Sequence, residues 1–148
     1  MKPPPALPLE QRLADQQADL PLLLDRLEAL AQDRRWTDVF RSQVMLVIEE
    51  LVVNALTYGG RDTGQAWVKV QLLESVEGLE IRITDNGDAF DPFVEAPEPS
   101  LDLDLDSRAV GGLGVHFVRE MTDTRTYQRQ NDENHVVLFK RWQASSTD

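Results

Sequence analysis

The sequence predicts a single α/β domain, and three observations carry that expectation. A chain of 148 residues is the size of one domain and is long enough to bury a full core. Val44 to Tyr58 reads VMLVIEELVVNALTY, apolar from Val44 to Leu56 except at Glu49, Glu50 and Asn54. That run is too long for a typical strand and predicts a buried helix. Ala66 to Leu73 and Leu79 to Thr84 instead alternate apolar and polar residues, the two-residue period of strands.

In order along the chain, residues 1–7 form a Pro-rich tail, expected to be disordered, and Leu7 to Leu13 suits an edge strand. Leu20 to Trp36 carries Leu23, Leu24, Leu27, Leu30 and Ala31 on one stripe, with Arg26, Glu28, Asp33 and Arg34 outside it. This predicts an amphipathic helix. Thr37 or Asp38 caps the following buried helix, which should stop near Gly59-Gly60. The two alternating segments flank the turn-prone ESVEG and predict an antiparallel hairpin, ended abruptly by Asp85-Asn86-Gly87-Asp88. Residues 89–110 hold three prolines, six acidic residues and no helical period, the character of a lid. Within it, the alternating LDLDLD of Leu101 to Asp106 reads as a solvated acidic loop. Gly111-Gly112-Leu113-Gly114 opens a last helix, Val115 to Met121. Two closing strands, Thr124 to Gln130 and Val136 to Trp142, are joined by the polar turn Asn131 to Asn134. The folded domain is thus expected over residues 8–143, with 144–148 a disordered tail and no internal repeat.

Composition excludes several functions. Acidic side chains number 26 against 15 basic ones, a net charge of −11 with no basic cluster, so direct nucleic-acid binding is not expected. Control of gene expression would have to run through another protein. A small anionic ligand would need a metal ion or backbone donors to hold it. The lack of cysteine removes disulfide and thiolate chemistry, and His116 and His135 are too few and too scattered for zinc. No stretch approaches the ~20 apolar residues of a membrane span. The opening MKPPPALPLEQ places prolines and charge where a signal peptide has an apolar core, so a cytoplasmic location is expected.

Three signals interrupt this ordinary pattern: Glu50-x-x-x-Asn54, Asp85-x-Gly87 and Gly112-x-Gly114. Each alone has a plain structural reading, as a polar pair on a core helix, a common turn and a tight connection. Together, with a long loop between the last two, they describe a nucleotide site. Glu50 and Asn54 lie one helical turn apart on one face. Asn54 offers a neutral oxygen to a hard cation such as Mg²⁺. A carboxylate beside a terminal phosphate can take a proton from an attacking hydroxyl or water. Asp85 can accept a hydrogen bond from the exocyclic amino group of adenine, and Gly87 lets a flat base approach the backbone. Gly112 and Gly114 free amides at a helix start, where phosphate is favoured. No GxxxxGK[ST] sequence is present, so this is not a P-loop site.

The stretches EELVVNALTYGG, ITDNGDAFDP and GGLGVHFVREMTD resemble the N box and the two glycine boxes of the GHKL (Bergerat-fold) ATPases. Within that superfamily the chain is similar to the anti-sigma-factor serine/threonine kinases of partner-switching systems, from about Leu20 to Trp142. The resemblance implies a two-layer α/β sandwich, helices on one face of a mixed, mostly antiparallel sheet. It implies ATP and Mg²⁺ as ligands, Glu50 as catalytic base and Asn54 as metal ligand. Asp85 and Gly87 would serve the adenine, and Gly112, Leu113 and Gly114 the phosphates. The implied partners are a STAS-domain anti-anti-sigma factor, phosphorylated on serine or threonine, and a sigma factor or other target. Family members often form homodimers, for which the sequence selects no interface.

The chain also departs from the pattern. Tyr58 stands where the family often has histidine or another polar residue. Glu49, the neighbouring carboxylate, lies about 100° around the helix from Glu50 and should point elsewhere. Arg108, the one cation in the acidic lid, could reach the phosphates or a partner, but reads at least as well as a surface arginine, and Arg119 on the last helix is similar. Two other functions fit the same motifs: a sequestering module that holds ATP only as a structural ligand, and the severed ATPase domain of a histidine kinase. Against the latter, the stretch before the N box carries neither a histidine nor a dimerisation hairpin.

Overall fold

The computed structural model describes residues 6–58, 65–95 and 112–142. The elements are β1 (Ala6–Leu13), α1 (Gln16–Arg34), α2 (Asp38–Tyr58), β2 (Val68–Glu74), β3 (Gly78–Asp85), α3 (Pro92–Glu95), α4 (Gly112–Met121), β4 (Thr124–Gln130) and β5 (Glu133–Arg141). The strands form one sheet in the order β1-β2-β3-β5-β4. Every neighbouring pair is antiparallel, so the sheet is not mixed among the described residues. The reason is topological. The chain leaves β3 through α3 and α4 and enters the far edge as β4, running in the same direction as β3. A tight hairpin then returns β5 into the space between them, antiparallel to both.

The alternation in the strands puts one face inward. Val68, Val70 and Leu72, then Leu79, Ile81 and Ile83, then Val136 and Leu138 are buried there. They meet Leu23 and Leu27 of α1 and Val44, Val47, Ile48, Leu51 and Val52 of α2 in one continuous core. At about 1.5–3 kcal/mol for each fully buried aliphatic side chain, this layer-on-layer contact is the main source of stability.

Helix α1 begins a turn before the expected Leu20. The Asp15 carboxylate accepts from the backbone N–H groups of Gln17 (3.0 Å) and Ala18 (3.4 Å). Asp19 reaches back to accept from Ala14 and Asp15, both at 2.9 Å. Such reciprocal capping satisfies the orphan donors of the first turn and draws the helix start upstream of Pro21. Of the two candidate caps for α2, Thr37 acts: its Oγ1 accepts from Phe40 N–H at 3.1 Å. The expected stop at Gly59-Gly60 lies outside the described residues, as do Gly111, residues 96–110 of the expected lid, and both expected tails except Ala6 and Leu7, which belong to β1.

The expected four-residue polar turn near the C-terminus is shorter. Only Asn131 (φ 56°) and Asp132 (φ 60°) turn the chain, and both are left-handed. Two such residues match the right-handed twist of the flanking strands. Glu133 and Asn134 therefore belong to β5. Among the described residues no helix is long and apolar enough to cross a membrane.

Candidate functional site

The stripe Gln43, Val47, Glu50 and Asn54 runs along one face of α2 at helical spacing. Glu50 is half-buried, and no hydrogen bond or ion pair ties its carboxylate to a described residue. Burial, with a smaller contribution from the neighbouring Glu49, pushes its carboxyl above the usual glutamate range. The first turn of α4 faces it. A Cβ built on Gly114 would overlap Glu50 Oε2 and lie 2.6 Å from its Cδ. Glycine at 114 thus makes room for the carboxylate. Gly112, Leu113 and Gly114 belong to α4 itself and do not form a loop ahead of Val115. First-turn N–H groups have no carbonyl to pair with in the helix, so it extends back through the glycines at little cost and leaves those amides available.

The second half of the site is the end of β3. Asp85 is buried, and its Oδ1 accepts from Gly87 N–H (2.8 Å) and from the Asn134 side-chain amide (2.9 Å). Asn86 fastens the same turn sideways, accepting from Trp67 N–H at 2.8 Å and donating to Gln65 C=O at 3.0 Å. Two fixed neighbours and a two-residue side-chain turn leave Asp85 little rotamer freedom.

Asn134, 3% exposed, is the hub. Besides Asp85, its Nδ2 donates to Asp88 C=O at 2.8 Å. Its Oδ1 accepts from Tyr127 O–H (2.6 Å), Phe90 N–H (3.2 Å) and Arg129 Nη1 (3.2 Å). Arg129 also donates to Gly87 C=O at 2.8 Å. One amide thereby joins β3, the turn after it, β4 and β5. Sequence reasoning missed both Asn134 and Arg129. The available signal was the inward alternation Asn134, Val136, Leu138, Lys140, which places a polar residue in line with the core.

Between these halves lies a cleft lined by Leu51, Asn54, Ala55, Ile83, Asp85, Asp88, Phe90, Pro92, Asn134 and Val136. Its walls are partly aliphatic and aromatic, with Asn54, Asp85, Asp88 and Asn134 as the polar groups, Asp85 being the one held by two hydrogen bonds. The Asn54 amide borders the cleft and pairs with no described residue, so its oxygen is available to a hard cation. Asp85, Gly87 and Asn54 are thus brought together. Glu50, Gly112 and Gly114 adjoin them one turn along α2, and Arg119 sits at the other end of α4. Arg108 lies outside the described residues. Among the described residues no group of histidine, aspartate and glutamate side chains forms a metal cluster.

The chain is similar to known proteins. The model of the histidine kinase-like ATPase domain matches residues 13–140. The serine/threonine-protein kinase BtrW of Bordetella bronchiseptica is 30% identical over 112 residues, covering 76% of this chain and 78% of that protein. The residues matched by the family model include α2, the end of β3 and β5, which line the cleft, and α4, whose Gly114 meets Glu50. The chain belongs to the histidine kinase-like ATPase family.

Proposed function

We propose that the protein is an ATP-dependent serine/threonine kinase and anti-sigma factor of a partner-switching system. Its substrate is a STAS-domain anti-anti-sigma antagonist, and it holds a sigma factor until the unphosphorylated antagonist displaces it. The observation that carries this reading is Glu50: a desolvated, unpaired carboxylate held against Gly114 at the N-terminus of α4. A site that only held ATP would gain nothing from another anion beside the phosphates, which Coulomb repulsion would penalise. An anion placed there suits a base. Similarity to a protein named as a serine/threonine kinase supports the same choice.

In this reading the site divides into two parts. The apolar cleft takes adenine, and Asp85 accepts its amino group. The first-turn amides of α4 face the phosphates. Asn54, with phosphate oxygens and water, would hold Mg²⁺, which supplies neutralising charge. Glu50 takes the proton of the attacking serine or threonine hydroxyl as that oxygen bonds the γ-phosphorus and ADP departs.

Calorimetry with ATP and GTP, with and without Mg²⁺, tests the site. Wild type should bind ATP in preference to GTP. Asn54→Ala should lose the metal-dependent share, and Asp85→Asn the preference for adenine. A protein that binds neither nucleotide, or both equally, has a different function. Labelled γ-phosphate should then appear on serine or threonine of a STAS-domain antagonist mixed with the protein. Binding of ATP and antagonist without transfer would favour the sequestering module.

A further inference from the structure

Helix α4 touches α2 at two places seven residues apart on each helix. Gly114 meets Glu50, and Met121 at the other end is tied to Gln43 through one side chain. That side chain is Lys140 of β5, whose Nζ donates to Gln43 Oε1 at 2.6 Å and to Met121 C=O at 2.8 Å. Seven residues are about 10 Å of helix on either side. The two helices therefore run antiparallel with matched spans, in close approach at one end and fastened by Lys140 at the other.

Lys140 is an odd residue for its place. It follows Asn134, Val136 and Leu138 on the inward face of β5, is 6% exposed, and has the Phe40 ring 5.3 Å from its ammonium. Burial lowers its pKa, opposed only in part by Asp123. An aliphatic residue would extend the core without that desolvation cost. What an aliphatic residue lacks is direction. The ammonium takes the last carbonyl of α4, where the helix dipole favours a cation. Arg125 makes weaker bonds nearby, to Arg119 C=O (3.4 Å) and Thr122 C=O (3.3 Å), but neither reaches α2.

We propose that Lys140 is a positioning residue for the phosphate end of the site: by tying Met121 to Gln43 it sets the axial register of α4 on α2, and with it the place of the α4 first-turn amides opposite Glu50. The inference rests on the proposed nucleotide site. It adds a residue far from the nucleotide, at the opposite end of α4, that governs how the phosphates are held and leaves the base alone.

The adenine half of the site is built on β3, β5, the turn after β3 and Leu51, Asn54 and Ala55 of α2, and among the described residues none of its side chains hydrogen-bonds to this strut. Adenosine and ATP therefore separate the two halves. Lys140→Met and Gln43→Leu, singly and together in the full chain, should bind adenosine as wild type does. Each should bind Mg-ATP roughly tenfold more weakly, the equivalent of one charged hydrogen bond. The double variant should be no weaker than either single one, because both break the same link. Three results overturn the proposal: unchanged ATP affinity, equal loss of adenosine and ATP affinity, or additive losses in the double variant. If Lys140→Met does not fold, Gln43→Leu, at a half-buried helix position, carries the comparison alone. Failure of the nucleotide reading looks different: wild type itself would then bind neither ligand.

Discussion

Replacing Gly114 by alanine should separate stability from catalysis. The added Cβ would lie 2.6 Å from Glu50 Cδ and overlap Oε2 more deeply, so the carboxyl group has to retreat by more than about 1 Å to reach ordinary van der Waals contact. Its obstacle is the end of a flexible side chain and not backbone, so the retreat is available. Alanine is also the better helix former, by up to about 1 kcal/mol within a helix and less in the first turn, where residue 114 sits. The fold should therefore change by no more than about 1 kcal/mol in either direction. Phosphate transfer should not be spared. A misplacement of about 1 Å in a catalytic group costs on the order of 10²-fold in rate. Urea unfolding monitored by circular dichroism gives the first quantity, and single-turnover transfer of labelled γ-phosphate gives the second. Transfer at the wild-type rate would refute the reasoning, since Glu50 would then not need the place that Gly114 provides. So would a loss of several kcal/mol, which would mean that Glu50 is wedged and cannot move.

Two further outcomes follow from the same geometry. The raised pKa of Glu50 means that its protonated form suits the folded state, a stabilisation present below the ordinary value of 4.5 and lost as pH rises through the raised one. Glu50→Gln, neutral at every pH, should thus be more stable than wild type at neutral pH, with the gap closing as pH falls through the raised pKa and gone by about 4.5; unfolding curves across that range check it, and a less stable variant at neutral pH would contradict it. Asn134→Ala strands Asp85 Oδ1, Tyr127 and the Asp88 carbonyl of one partner each, so urea titration should show a loss of about 1–3 kcal/mol or more, against almost none if the hub contributes nothing.

Much of this site was legible in the sequence because its parts are local. Glu50 and Asn54 are one turn apart, Asp85 and Gly87 share a turn, and the glycines before Val115 stand together, so spacing alone puts each pair on one surface. The helices and the β2–β3 hairpin were legible for the same reason: their apolar periods are long. What stayed hidden was set by pairing across the sheet. Asn134 reads as a turn residue until the two left-handed residues before it are seen to close the hairpin on their own. Lys140 is one residue of the expected strand Val136 to Trp142 until the register places it between Gln43 and Met121. The antiparallel sheet depends on where β5 inserts, and no local pattern encodes that. The start of α1 was misjudged because Asp15 and Asp19 cap each other across a stretch with little apolar period.

Transfer of γ-phosphate by wild type and Glu50→Gln, measured side by side on a STAS-domain antagonist with ATP binding followed in parallel, tests the central claim most directly. Wild type should phosphorylate the antagonist. Glu50→Gln should bind ATP as well as wild type and transfer roughly 10²–10⁴-fold more slowly, the usual cost of a lost general base. Equal transfer by the two proteins would contradict the assignment of Glu50, and wild type that binds both ATP and antagonist yet transfers nothing would contradict the kinase.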